Sequence, residues 1–172
     1  MLTLAIAALL LSGSPASPQQ SQGGQQEKEP RYNQFRKFQL KDLQVVELKV
    51  GEKEEHKLRT WVMDTELKRQ EGMMFLEDQD VANDRAMIFA FNRAQLLSFW
   101  MKNTYIPLDI AYMGATGRIL KTYTMRPLDT YTDYGSRYPA KYALEMKQGT
   151  IDRLGMKVAQ TIKIPDDVKA KD

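Results

Sequence analysis

Apolar residues in this chain come in short bursts. Beyond the first dozen positions the longest unbroken run is AMIFAF, Ala86 to Phe91, and the other bursts alternate with polar side chains. Runs of this length suit strands and fall short of the 10 to 12 residues, roughly, of a core helix, so the chain must fold mainly as sheet. Leu43 to Val50 alternates and is rich in β-branched residues, Gly51-Glu52-Lys53 supplies a turn, and His56 to Val62 alternates again, which predicts a hairpin. AMIFAF, apolar throughout, predicts a strand covered on both faces. Leu96 to Lys102 and Leu108 to Met113 follow as strands joined through Asn103-Thr104. Gly114-Ala115-Thr116-Gly117 is a hairpin turn that sends Arg118 to Met125 back beside its predecessor. Lys141 to Met146 and a closing segment, Met156 to Ile164, complete the strands.

Helical signals are few. Asp64 stands where an N-cap belongs, Glu66 favours the positive end of the first turn, and Gly72 ends the segment. Gly149 to Leu154 allows a helical turn or two. Seven or so short strands with one or two short helices predict a β-rich α+β domain, either a small curved sheet or a barrel.

The ends of the chain read differently. Nothing from Met1 to Gln26 is charged, and Leu2 to Leu11 is an apolar run too short for the roughly 20 residues of a spanning helix. With the small residues of Ser14-Pro15-Ala16 behind it, residues 1–16 read as an export signal, although no Lys or Arg precedes the run. Residues 17–37 read as a disordered polar linker, since SPQQSQGGQQEKEP has no large apolar side chain to offset its ordering entropy. Residues 38–165 are then a single domain with core enough to fold without staples, and 166–172 a polar tail. The expected product is a periplasmic or extracellular monomer without a membrane span once the signal is removed.

Composition narrows the chemistry. The chain has no cysteine, which excludes disulfides, thiol catalysis and thiolate metal sites, and its single histidine, His56 between Glu55 and Lys57, reads as a solvated strand-edge residue. No metal and no cofactor is expected. Ten methionines raise copper(I), but they are scattered among the strands as adaptable core filler would be. A net charge of +3 on a mixed surface lacks the basic stripe that nucleic acid binding requires. Ser98 and Ser136 have no base near them in sequence and no G-x-S-x-G elbow, so no catalytic residue is assigned to them.

The segment SFWMKNTYIPLDIAYM, Ser98 to Met113, is unlike a plain core strand. Strand parity puts Ser98, Trp100 and Lys102 on one face, and it turns Asp109 away from Leu108, Ile110 and Tyr112. One surface carrying Trp100, Lys102 and Asp109, with Asn103 and Thr104 at its rim and Arg126 nearby, would suit a small polar ligand. The Tyr-rich stretch Pro127 to Pro139 has the length and irregularity of a functional loop, and Tyr131 to Arg137 could cover that surface. A structural account competes. Asn103 and Thr104 can make the turn by themselves, Pro107 can fix a strand edge, and Asp109 can accept from backbone N–H groups or pair with Lys102.

Four blocks carry a resemblance: EGMMF at Glu71 to Phe75, AMIFAF, WMKNTYIPLDI at Trp100 to Ile110, and YALEMKQG at Tyr142 to Gly149. In this order, across roughly Val45 to Ile164, they resemble the DUF192 family, also called UPF0127. Met73 stands where that family usually has leucine, and LGMKVAQTIKI lacks the usual Gly-Asp turn. The resemblance implies a compact β-rich domain, often behind an export signal, and implies no activity. The reading that follows is an exported envelope domain that binds a small polar, saccharide-like ligand or a partner protein. A hydrolase built on Asp109 and Glu145 is one alternative, since paired carboxylates are the minimum for glycoside hydrolysis. A purely structural envelope domain is the other.

Overall fold

The AMIFAF run forms the centre of the longest strand, β3 (Arg85–Gln95), and its position explains its composition. The computed structural model describes residues 33–51, 53 and 56–172; the expected signal peptide, and residues 17–32 of the expected linker, lie outside the described residues. Before β3 come β1 (Val45–Val50), β2 (His56–Met63) and the short helix α1 (Glu66–Glu71). After it come β4 (Ser98–Phe99), β5 (Leu108–Met113), β6 (Ile119–Met125), β7 (Tyr134–Gly135), β8 (Ala140–Lys147) and α2 (Thr150–Arg153). Among the described residues the eight strands form a six-stranded sheet of order β1-β2-β3-β8-β5-β6 and a small ribbon of β4 with β7. All neighbours in the large sheet are antiparallel except β2 and β3, whose parallel pairing needs the crossover that contains α1. The sheet stays open, with β1 and β6 at its two edges, so of the two expected forms the chain adopts the curved sheet rather than the barrel.

The central strands of the large sheet are buried on both faces. On one side Met87, Phe89, Leu108, Ile110 and Tyr112 pack under Met73, Leu76, Leu97, Met101, Ile106 and Tyr134. On the other side Leu48, Val62, Ile88, Ala111, Met113 and Leu144 pack under Leu154, Met156, Ile162 and Val168. This explains why every residue of β5 and nearly every residue of β8 is buried, apolar or not.

Both expected hairpins form, β1 with β2 and β5 with β6, the latter closed by Gly114 N–H donating to the Arg118 carbonyl. Three expectations change. The N-cap of α1 is Thr65, whose hydroxyl accepts from Lys68 N–H, because Asp64 is turned inward onto Lys68 and Lys171 at 2.6 and 2.5 Å. The expected strand Leu96 to Lys102 shrinks to Ser98–Phe99. The expected closing strand 156–164 is irregular: it forms one isolated β-bridge, Arg118 to Thr161, and is otherwise held by scattered backbone bonds such as Ala159 N–H to the Ile119 carbonyl and Ile162 N–H to the Gly117 carbonyl, with Ala159 in the left-handed region at φ 75°.

Contacts also run past the expected domain limits. Arg36 is buried, donating to the carbonyls of Gly72 and Met74 at 3.0 and 2.6 Å and pairing with Glu71 at 3.1 Å. At the other end Val168 is buried in the second core, and the Asp172 carboxylate takes Arg69 at 2.8 Å and the N–H of Glu66. Segments that are polar by composition are thus bound through a few long-range partners, which composition does not report.

Candidate functional site

The segment around Trp100 is presented by a tight turn. Met101 N–H donates to the Asp129 carbonyl, Thr104 N–H donates to the Met101 carbonyl at 3.2 Å, and the Thr104 hydroxyl donates to the Lys102 carbonyl. Asn103 occupies the left-handed region at φ 55°, which Asn tolerates better than most residues, and its carbonyl accepts from Phe75 N–H at 2.8 Å. Asn103 and Thr104 therefore do make the turn, and by making it they hold Trp100 and Lys102 outward. Trp100 is 52% exposed, with the Lys102 ammonium 5.1 Å from its ring centroid.

Trp100, Lys102 and Asn103 line an open groove of about 650 Å³, together with Ser98, Phe99, Gln95 and Phe91 from the sheet side and Glu66, Arg69, Gln70 and Met74 from the helix side. That volume lies within the range of small-molecule sites. Its one guanidinium is already committed: Arg69 donates to the Ala90 carbonyl, pairs with Asp172 and stacks at 4.9 Å on Phe91. Glu66 accepts from the Gln70 amide. The groove thus offers an aromatic surface and neutral amide and hydroxyl groups more than a net charge.

Behind this groove lies a much smaller cavity of about 30 Å³, sharing Arg69, Gln70, Met74, Phe99 and Trp100 with it and adding Glu71, Gly72, Met73, Phe89, Thr104 and Glu145. Gly72 closes it: a Cβ there would come within 3.1 Å of Phe89 and 3.7 Å of the Glu145 carboxyl, at a φ of 48° that already favours glycine. Glu145 is only 4% exposed, and among the described residues no hydrogen bond or ion pair reaches its carboxyl. Burial alone pushes it up to about 8.

Asp109 lies elsewhere. Across β8 its partner is Met146, which faces the second core, whereas Glu145 is paired with Ile110 and Met87, which face the first. The two carboxylates are therefore on opposite faces of the sheet, and the expected Asp109–Glu145 hydrolase pair is corrected: no single substrate bond can lie between them. For the same reason Asp109 does not share a surface with Trp100. Its carboxylate accepts from the Thr124 hydroxyl at 2.9 Å and from Ile151 N–H at 3.0 Å, tying α2 to the hairpin. Replacing Asp109 by alanine should cost about 1 to 3 kcal/mol in a denaturant titration, since it removes the acceptor of the Ile151 N–H and unties α2 from the hairpin. A variant as stable as the parent would contradict this role.

Arg126 also lies outside the groove lining. Its guanidinium, largely exposed, pairs with Asp129 at 3.1 Å. Asp129 organises the Tyr-rich loop, accepting from the Thr132 hydroxyl and N–H, from the Tyr131 N–H and from the Tyr134 phenol, so that its own carboxyl is held far below the usual range. No residue from Tyr131 to Arg137 lines the groove; β7 instead pairs with β4 and supports Trp100 from its flank. Of the expected site residues, Trp100, Lys102 and Asn103 come together, Thr104 lies at the inner cavity, and Asp109 and Arg126 stand apart. The helix-side residues Glu66, Arg69 and Gln70 escaped the sequence reading. Their polar spacing on α1 was visible, but the partner of that face was not.

The DUF192 family profile, described as Uncharacterized ACR, matches residues 46–164. Among solved structures, the chain is similar to a crystal structure from Sinorhizobium meliloti described as a "putative transcription regulator", at 29% identity and a TM-score of 0.62 over 69% of this chain and 91% of that one. It is also similar to a protein of unknown function from Novosphingobium aromaticivorans, at 29% identity and a TM-score of 0.67 over 74% and 90%. No curated protein matches.

Proposed function

For a chain that belongs to the DUF192 family, a family without an assigned activity, we propose the function of an exported, monomeric binding module whose groove at Trp100 takes a small, uncharged, saccharide-like ligand. The observation that carries this reading is a half-exposed indole set in a groove whose polar lining is mostly amide and hydroxyl. An aromatic plate stacks against the apolar face of a sugar ring, Gln95 and Asn103 have the donors and acceptors that its hydroxyls need, and the Ser98 hydroxyl, which donates to Asp133, can still accept. Of the two cations in the lining, Arg69 is taken up by Asp172 and the Ala90 carbonyl and Lys102 lies over the Trp100 ring, while Glu66 adds a negative charge, so the groove is not built around a cluster of free cations.

The test is a fluorescence titration with a panel of mono- and disaccharides. The second tryptophan, Trp61, is buried, so ligand quenching reports mainly on Trp100. Trp100→Ala, which removes the reporter, should also abolish the binding heat of the same sugars in a calorimetric titration, while changing stability by no more than about 0.5 kcal/mol, as expected for an exposed side chain. A panel that leaves Trp100 emission unchanged removes the saccharide reading.

A further inference from the structure

Resting on the reading of the groove just given, we propose that Glu145 is the ligand's buried anchor: a hydroxyl arm of the ligand reaches from the groove into the inner cavity and donates a hydrogen bond to the Glu145 carboxyl.

The cavity and the carboxyl are each incomplete without the other's partner. A space of about 30 Å³ holds one water-sized group, and a hydroxyl is of that size. Its apolar walls are Met73, Met74, Phe89 and Phe99, with the Trp100 indole beside them, and its other polar side chains are engaged: the Thr104 hydroxyl donates to the Lys102 carbonyl, Gln70 to Glu66 and Arg69 to Asp172, while Glu71 is held by Arg36. Glu145 lines this space, and among the described residues nothing donates to its carboxyl, a costly arrangement for a buried acid. Carboxyls retained at such a cost are commonly retained for function. The cavity opens toward the groove through the residues that line both, with Trp100 and Phe99 on the passage. A ring stacked on Trp100 would therefore project a one-carbon hydroxyl arm toward Glu145.

The other charged and titratable groups that face Glu145 are engaged elsewhere. From α1, Arg69 is held by Asp172 and Glu71 by Arg36. From β5, Tyr112 donates to the Tyr134 carbonyl, and burial pushes its phenol well above the ordinary range. A donor to Glu145 favours the ionised carboxyl, because a hydrogen bond to a carboxylate is roughly twice as strong as one to a neutral acid. Ligand binding should therefore tighten as the pH rises through about 8.

Glucose and galactose, each beside its 6-deoxy counterpart, are titrated into the full chain at pH 6 and pH 9, with Trp100 emission as the readout. In the parent, at least one 6-hydroxyl sugar should bind roughly tenfold more tightly than its 6-deoxy counterpart and tighten several-fold from pH 6 to pH 9. In Glu145→Met the two sugars should bind alike and the pH slope should vanish. In Glu145→Gln, which keeps an acceptor, the hydroxyl preference should survive in part without the slope. Quenching that ignores both the 6-hydroxyl and Glu145 overturns the anchor while leaving the groove reading standing. If none of the four sugars quenches the parent, both readings fall.

Discussion

Glu145→Met should flatten the pH dependence of stability between about pH 4.5 and 8 and make the protein more stable than its parent at the upper end. In the folded parent the carboxyl titrates near 8, against an ordinary 4.5, because nothing offsets its desolvation. Between these values the folded chain keeps a proton that the unfolded chain has released. Stability therefore falls as pH rises, by roughly 1.4 kcal/mol per unit, and levels off once the folded carboxyl has ionised. Summed over the window, the loss is on the order of 4 to 5 kcal/mol, or about 10 °C in thermal midpoint for a domain of this size. Methionine matches glutamate in length, suits the apolar walls of Phe89 and Phe99, and carries no charge to lose. Asp64 and Asp172, whose carboxyls are held below the ordinary range by lysine and arginine partners, act in the opposite sense at acid pH and so leave this window to Glu145. Denaturant melts of both proteins at half-unit steps check the prediction. A parent curve flat from pH 5 to 8, with no gain in Glu145→Met, would mean that the carboxyl has found a donor after all.

Much of this fold could be read from local pattern, and what could not was long-range. The hairpins at Gly51 and at Gly114 to Gly117 were legible because turn chemistry and period-2 alternation both lie within a dozen residues. AMIFAF announced a doubly covered strand, and its neighbours β2 and β8 cover both its edges as well. The segment 156–164 misled for a physical reason: Met156, Val158 and Ile162 alternate as a strand would, yet Met156 and Ile162 reach the second core from an irregular path broken at Ala159. The Trp100, Lys102 and Asn103 grouping was legible because one turn holds all three. Asp109 was not, since parity says which side of its own strand a residue takes but not which face of the sheet β4 and Trp100 cover. The exceptional position of Glu145 had one local sign, an acid between Leu144 and Met146 in an apolar strand. Its cavity is built by Gly72, Phe89 and Trp100, three segments that only the folded chain brings together.

Arg36→Met should be the most damaging single change outside the sheet, destabilising the protein by about 3 to 5 kcal/mol. Arg36 sits in what composition marks as linker, yet its guanidinium is sealed inside. It donates to the carbonyls of Phe38, Gly72 and Met74 and pairs with Glu71. Burial lowers the proton affinity of the guanidinium, and Glu71 works against that shift. Glu71 in turn accepts from the N–H groups of Lys37 and Phe38 at 2.6 and 3.2 Å, so one ion pair ties residues 36–38 to the end of α1. Removing the arginine leaves a buried carboxylate with two backbone donors but no counter-charge, and leaves the Gly72 and Met74 carbonyls bare. The double variant Arg36→Met, Glu71→Leu should recover part of the loss, because the stranded charge goes with its partner. Recovery cannot be complete, since the N–H groups of Lys37 and Phe38 then lose their acceptor. Because Gly72 and Met74 line the inner cavity behind the groove, the single variant should also weaken saccharide quenching of Trp100 at temperatures well below its melting point. A double variant no more stable than Arg36→Met would show that the carbonyl contacts, and not the charge pair, hold this end of the chain in place.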